Sequence, residues 1–318
     1  MKAWIVSLAL LASTSVDAAP AKVDIGTYRA LAAQDLRLAT IGYRLASANS
    51  RFCAVKGYNP GWVIHDIAQY PDEAMAKAAF GFATPLAVSG VVADGPAAKA
   101  GVRAGDAIVE LRYTVNGYDW TPGQGQGYSR VAAYKALLAE GWKTQNGPET
   151  IFRRDGNDVA LRFQPGLVCA SDFQVDTKNK ADAGADGAMV SVTTGMMDFA
   201  SNDGELAAAV AHELAHNILG HRQRLLALGR KKKNSDVKAT EVEADRLSIW
   251  LLANAGYDLD TALKFWERWG QQFATSDATH PRWKDRIASM KQEMALIART
   301  APIDGLLPPP MLTLPTAQ

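Results

Sequence analysis

Cysteine is scarce in this chain: Cys53 and Cys169 are the two among 318 residues, so at most one internal disulfide can form. Charge imbalance is absent as well. Lys plus Arg total 34 against 33 Asp plus Glu, a net charge of +1, which gives no basis for a nucleic-acid or acidic partner held by overall charge. The one basic block, Arg230-Lys231-Lys232-Lys233, reads as a solvated loop between two helices. Long hydrophobic runs are missing too. The apolar run Ala3 to Leu11 is too short to span a bilayer and no run of 18 or more apolar residues follows it, so no transmembrane segment is expected in the mature chain.

What is present sets a globular frame. With 48% apolar and 21% charged residues, the chain can bury a sizeable core, and its length suggests about two domains. Residues 1–18 read as a signal peptide. Lys2 supplies the positive start, Ala3 to Leu11 the apolar run, and Val16-Asp17-Ala18 the small-x-small pattern of a cleavage site. Cleavage at about Ala18/Ala19 predicts an exported, periplasmic protein. In an oxidising compartment Cys53 and Cys169 are expected to pair, and the bond would pin together the two ends of an inserted region.

Between Asp24 and Asn49, Leu31, Leu36, Leu38, Ile41 and Leu45 recur roughly every three or four residues, predicting a helix that opens a first segment, residues 24–52. From residue 57 to 166 the texture turns glycine-rich and β-branched. Gly95-Pro96-Ala97-Ala98-Lys99-Ala100-Gly101 predicts a short helix with proline in its first turn and glycine past its end. Gly105-Asp106 then predicts a tight turn into a strand, Ala107 to Tyr113, with Val109, Leu111 and Tyr113 on one face. Ser129 to Glu140 reads as an amphipathic helix, and Ile151 to Phe163 as a hairpin around Asp155-Gly156. The Gly95 to Ile108 string and the elements after it resemble the PDZ domains of bacterial proteases. That resemblance implies a groove between the Ser129 helix and a neighbouring strand where a peptide C-terminus adds as a strand. A groove that only packs on the rest of the protein stays open as the alternative.

Residues 170–300 carry the chemistry. Met189 to Thr193 predicts a short strand, and Asn202 with Glu205 marks a helix start. On that helix, His212-Glu213-Leu214-Ala215-His216 sets two imidazoles on one face, able to grip a single ion. In a chain with five histidines this string arises by chance well under about one time in a hundred. Glu241-Val242-Glu243-Ala244-Asp245 begins 25 residues after His216 and offers Glu241 as a third ligand from a second helix. Three protein ligands with an open position are the layout of catalytic zinc, one Zn2+ per chain. Glu213 is then the general base, and Asp245, four residues past Glu241, orients a ligand histidine. Glu243 points about 200° around the helix from Glu241 and is set aside. His221, about 140° from His216 on a continuous helix, reads as a helix-end residue. Residues 301–318, with Pro302, Pro308, Pro309, Pro310 and Pro315, read as a disordered tail.

These strings, with Thr279-His280-Pro281 and Arg286-Ile287 after them, resemble the HtpX/BepA/Oma-type zinc metallopeptidases, gluzincins related to the CAAX prenyl protease. The resemblance covers about residues 24 to 50 and 170 to 300. It implies an α+β fold: a mostly helical metallopeptidase domain, with a short edge strand near Met189 to Thr193 that aligns substrate, interrupted by the PDZ-like domain. It further implies that His280 can approach the zinc and restrain activity, and that the substrates are polypeptides, misfolded or misassembled envelope proteins. Two other readings stand beside it. One is a periplasmic chaperone or scaffold with a latent, His280-restrained metal site. The other is a purely structural zinc site, against which Glu213 argues, because such a site needs no general base.

Overall fold

Two hydrophobic cores form along one long helix, α1 (Ile25–Ala48). The computed structural model describes residues 24–113, 119–123, 125–144, 147–273 and 279–312. The expected signal peptide and the last residues of the expected tail, 313–318, lie outside them. Asp24 caps α1 by accepting from the Thr27 amide at 2.8 Å. Its first half turns Tyr28 into a cluster with Ile67, Ala76, Phe82 and Ala87, and its second half buries Leu38, Ile41 and Leu45 among the helices that carry the candidate site. A side chain on Gly42 would meet the Phe173 ring at 2.5 Å, so glycine there lets α1 lie directly on the strand beneath it.

The chain leaves α1 through β1 (Lys56–Tyr58) and enters an antiparallel sheet built from β2 (Trp62–Asp66), β3 (Leu86–Val91), β4 (Ala107–Arg112), β6 (Glu149–Arg154) and β7 (Asn157–Arg162), in the order β2-β3-β4-β6-β7. The short β5 (Asp119–Trp120) also pairs with β4. Helix α2 (Glu73–Phe80) follows β2, and α3 (Pro96–Lys99) sits where the proline and glycine punctuation places it. Helix α4 (Tyr128–Gly141) lays Val131, Tyr134 and Leu138 over a core of Trp62, Leu86, Val88, Ile108, Leu111 and Phe152. The expected face of β4 is corrected by a bulge between Ile108 and Glu110: the extra residue breaks strict alternation, so Ile108 and Leu111 are the fully buried pair and Val109 is not. The β6–β7 hairpin turns on Asp155 and Gly156, both at positive φ (49° and 82°), the type I′ geometry that matches strand twist.

The chain returns along β8 (Leu167–Cys169), antiparallel to β1, and the Cys53–Cys169 disulfide closes this stem with its Cα atoms 5.3 Å apart. A three-stranded sheet follows. β9 (Asp172–Asp176) runs parallel to β11 (Met189–Thr193), and β10 (Ala183–Ala185) pairs antiparallel with β11. The strand over Met189 to Thr193 is therefore central, and β10 is the edge. Alanine and glycine carry little strand propensity, which is why Ala183-Gly184-Ala185 gives no signal in the sequence.

Helices α5 (Thr194–Phe199), α6 (Asp203–Ile218), α7 (His221–Leu228), α8 (Asn234–Asn254), α9 (Leu259–Phe273) and α10 (Trp283–Ile297) complete the fold. Leu206, Val210 and Leu214 of α6 pack with Leu247, Trp250 and Leu251 of α8 and Phe265 of α9 in one core. Mixed helices and sheets make the protein α+β. Residues 301–312 are not the free tail that their proline content suggests. Leu307, Met311 and Leu312 pack on the helical core, and the Leu307 amide donates to Asn254 Oδ1 at 2.8 Å. Apolar residues spaced between the prolines give this stretch surface to bury, which composition alone conceals. Among the described residues no helix is long and apolar enough to cross a membrane.

Candidate metal centre

Asn202 starts α6 by accepting from the Glu205 amide at 3.0 Å. Glu205 reaches back to the Ser201 amide and is held by both terminal nitrogens of Arg268, at 2.8 and 2.7 Å. That capped start sets the phase of the helix, and two turns later His212 and His216 face α8. His212 Nε2 and His216 Nε2 are 3.2 Å apart. Glu241 on α8 completes the triangle, with Oε2 at 3.4 Å from His212 Nε2 and Oε1 at 3.6 Å from His216 Nε2. Nitrogen and oxygen ligands about 2.0–2.1 Å from a tetrahedral ion stand about 3.3 Å from one another, so these separations fit one metal ion. These three side chains can hold it.

Glu213 shares a cleft of about 410 Å³ with the triangle, lined also by Ala183, Ala185, Leu226 and His280. Among the described residues no hydrogen bond or ion pair fixes its carboxylate. Burial pushes that carboxyl up to about 7; the Glu241 charge adds to the shift, and His212 and Arg286 oppose it. A carboxylate with this pKa can take a proton near neutral pH and give it back. Burial also works upward on Glu241, yet hydrogen bonding and charge from His212 hold it down at about 2, the ionised form a cation needs.

Asp245 lies where its spacing from Glu241 predicts. Its Oδ1 is 3.0 Å from His212 Nδ1, although the ring N–H is not aimed squarely at it, so the contact is close rather than well aligned. What fixes Asp245 is Arg286 on α10, which donates from Nε and Nη2 at 2.8 and 2.7 Å. Both are buried, and the guanidinium stacks 4.4 Å from the Trp266 ring centre. Charge and hydrogen bonding from Arg286 hold the Asp245 carboxyl well below the usual range against its burial. His280 is exposed at the cleft, bonded to Thr279 Oγ1 at 3.1 Å, and stands outside the ligand triangle.

The sequence reading gives no role to three partners of the site: Arg286, quoted there only among the strings of the family resemblance, and the two residues set aside, His221 and Glu243. The pairing of Arg286 with Asp245 follows from no local spacing and arises only from the packing of α10 on α8. His221 escapes because the wheel assumes one continuous helix. Gly220 instead takes φ 62°, ends α6, and begins α7 with the His221 ring folded back 3.0 Å from His216 Nδ1. Glu243 does point away from Glu241, and it meets that same ring, with Oε2 at 3.1 Å from His221 Nε2.

β10 borders the cleft. Thr193 N donates to Asp182 O and Asp186 N donates to Met189 O, at 3.0 and 3.1 Å. Antiparallel alternation then turns the Ala183 carbonyl and both backbone groups of Ala185 away from β11.

Residues 170–235 and 233–294 match the family model of peptidase family M48. That segment holds every residue of the triangle together with Glu213 and Asp245, and its match supports the M48 metallopeptidase family, whose members are metal-dependent. No curated protein matches the chain. Among solved structures, an HtrA-type protease AlgW with decapeptide is similar at 24% identity and a TM-score of 0.25, over 36% of this chain and 30% of that one. The chain thus spans under a third of that protein's length.

Proposed function

We propose that the protein is a zinc-dependent endopeptidase that is exported and cleaves misfolded or misassembled envelope proteins. The observation that carries this reading is the His212–His216–Glu241 triangle with Glu213 beside it, open to a cleft. Two imidazoles and a carboxylate suit zinc among the common divalent ions. Bound there, the ion supplies Lewis acidity toward a peptide carbonyl and lowers the pKa of water. The chain's own residues do the rest. The outer edge of β10, unpaired among the described residues, takes the substrate as an added strand through Ala183 and Ala185. Glu213 removes a proton from the attacking water and passes it to the leaving amine. Asp245, clamped by Arg286, keeps the His212 ring in place.

Export is supported by the leader-like residues 1–18 and by a disulfide that an oxidising compartment preserves. The inserted sheet is read as PDZ-like, with its groove as a second place for substrate. Among the described residues no strand pairs with the outer edge of β2, and a cavity of about 1280 Å³ opens there between β2, α4, α1 and β9. The position of His280 at the cleft favours a second reading as well, in which that residue restrains the zinc site of a protein used mainly as a chaperone.

Zinc content and casein cleavage of the mature protein, wild type beside Glu213→Gln, test the proposal. One zinc in both with cleavage by wild type alone is expected. Zinc in both with cleavage by neither turns the case toward the latent form, where His280→Ala should raise activity. No zinc in either overturns it.

A further inference from the structure

His212 and His216 are held in different ways. His212 meets a carboxylate directly, whereas His216 has another histidine against its outer nitrogen, with the two Nδ1 atoms 3.0 Å apart and the rings at 83°. Two imidazole nitrogens at that distance need one proton between them, and the nitrogen that carries it decides which face of His216 is bare. His221 answers the question because its other nitrogen is already committed. Nε2 faces Glu243 Oε2 at 3.1 Å, and a carboxylate can only accept, so His221 Nε2 must donate. In the neutral ring, His221 Nδ1 is then the acceptor and His216 Nδ1 the donor. His216 Nε2 is left as a lone pair, aimed at the point it shares with His212 and Glu241.

We propose that Glu243 and His221 form a positioning relay that fixes the tautomer and orientation of His216 as a ligand. This rests on the proposed reading of His216 as a zinc ligand. Each part has a structural cause. Glu243 sits two residues from both Glu241 and Asp245, on the side of α8 that cannot reach the ligand triangle, and the His221 ring spans the gap. His221 is 1% exposed, so water does not compete for its nitrogens. Arg224 holds the carboxylate from the other side, donating from Nη1 to Oε2 at 2.6 Å and from Nη2 to Oε1 at 3.3 Å. The left-handed Gly220 turns the chain so that a residue five past His216 comes back onto it. One helix, α8, thus supplies a ligand and both outer carboxylates, Asp245 for His212 and Glu243 for His216.

Zinc affinity, measured by competition with a chromophoric chelator, tests the relay without using activity. Glu243→Ala and His221→Phe are each expected to weaken zinc binding by about tenfold or more, the usual cost of losing a group that orients a ligand. Glu243→Gln keeps an oxygen facing both His221 and Arg224 and should stay within about threefold of wild type, a rescue that packing alone does not predict. Because the two residues act in series, the double variant should be no weaker than His221→Phe alone. Cobalt-loaded Glu243→Ala should also show an altered visible spectrum. Affinity within twofold of wild type for Glu243→Ala, a variant at a half-exposed site that leaves the core intact, overturns the relay even if His221→Phe fails to fold; so do losses that multiply in the double variant. His216→Ala distinguishes the two levels. If it leaves affinity unchanged, the ligand assignment falls and the relay with it; if it abolishes binding while Glu243→Ala does nothing, the relay alone is wrong.

Discussion

Buried charge serves different ends in the two halves of the molecule. In the sheet, Asp66 and Asp106 are buried, and each holds a turn of its own chain. Asp66 accepts from the Ala68 amide and from Arg130, and Asp106 from the Arg103 amide and twice from Arg154. In the helical half, Asp245 accepts from Arg286 and approaches the His212 ring. The first pattern fixes backbone, and its loss costs stability alone. The second holds a side chain that, on the proposed function, presents one nitrogen to an ion, so its loss should also be read in metal binding.

The comparison is sharpened most by Glu213, whose carboxylate no hydrogen bond or ion pair holds among the described residues. Glu213→Gln should lower cleavage by about a thousandfold with zinc retained, as loss of a general base does, measured as kcat/KM on a quenched peptide. The same variant has a signature in stability. In the metal-free protein Glu213 holds its proton to about pH 7, above its unfolded value, so stability falls as pH rises through that window. Glu213→Gln should remove that slope, seen as a higher Tm above pH 7 before zinc is added.

Next in size is Arg286→Leu, which strands the buried Asp245 carboxylate at a cost of about 3–5 kcal/mol and should weaken zinc binding as well. Asp106→Ala in the sheet should cost about 1–3 kcal/mol, since the partly buried Arg154 guanidinium and the Arg103 amide lose their acceptor, and leave zinc affinity unchanged. If chelator competition finds both variants equally impaired, the distinction between the two halves fails. Replacing Cys53 and Cys169 together by serine should lower unfolding free energy by about 2–4 kcal/mol without altering zinc affinity, read by urea titration. The smallest effect belongs to Asp35, between α1 and β9. Burial pushes its carboxyl up to about 6 against the Val175 amide it accepts from at 3.1 Å. The folded state binds that proton more tightly than the unfolded chain, so stability falls between about pH 4 and 6 and the penalty persists above. Asp35→Asn keeps the acceptor and should raise the Tm at pH 7.5 but not at pH 3.5.

How much was legible follows the same division. Candidate ligands four residues apart on a helix are visible because the helical period is local and the residue types are rare; the grouping of His212, His216 and Glu241 needed no tertiary information beyond the meeting of two helices. In the inserted sheet, α3, α4 and the β6–β7 hairpin were legible from glycine, proline and alternation, whereas α2 (Glu73–Phe80) was not read. The parts missed depend on breaks in period. The bulge in β4 moved its buried face, Gly220 turned His221 back upon the site, and Ala-Gly-Ala made an edge strand without strand-forming residues. Arg286 lies 41 residues from the aspartate it holds, a distance that no pattern along the chain spans.

The stem that closes the inserted sheet has a topological consequence. The chain departs at Cys53 and returns at Cys169 with Cα atoms 5.3 Å apart, a gap that one or two residues bridge. Seen from the helical half, 115 residues between the two cysteines amount to a loop grafted at a single point, a cassette that can be exchanged without redrawing the path of the remaining chain. The exposed cost of its removal would fall on one side of α1, where Tyr28 and Leu36 now lie against the sheet.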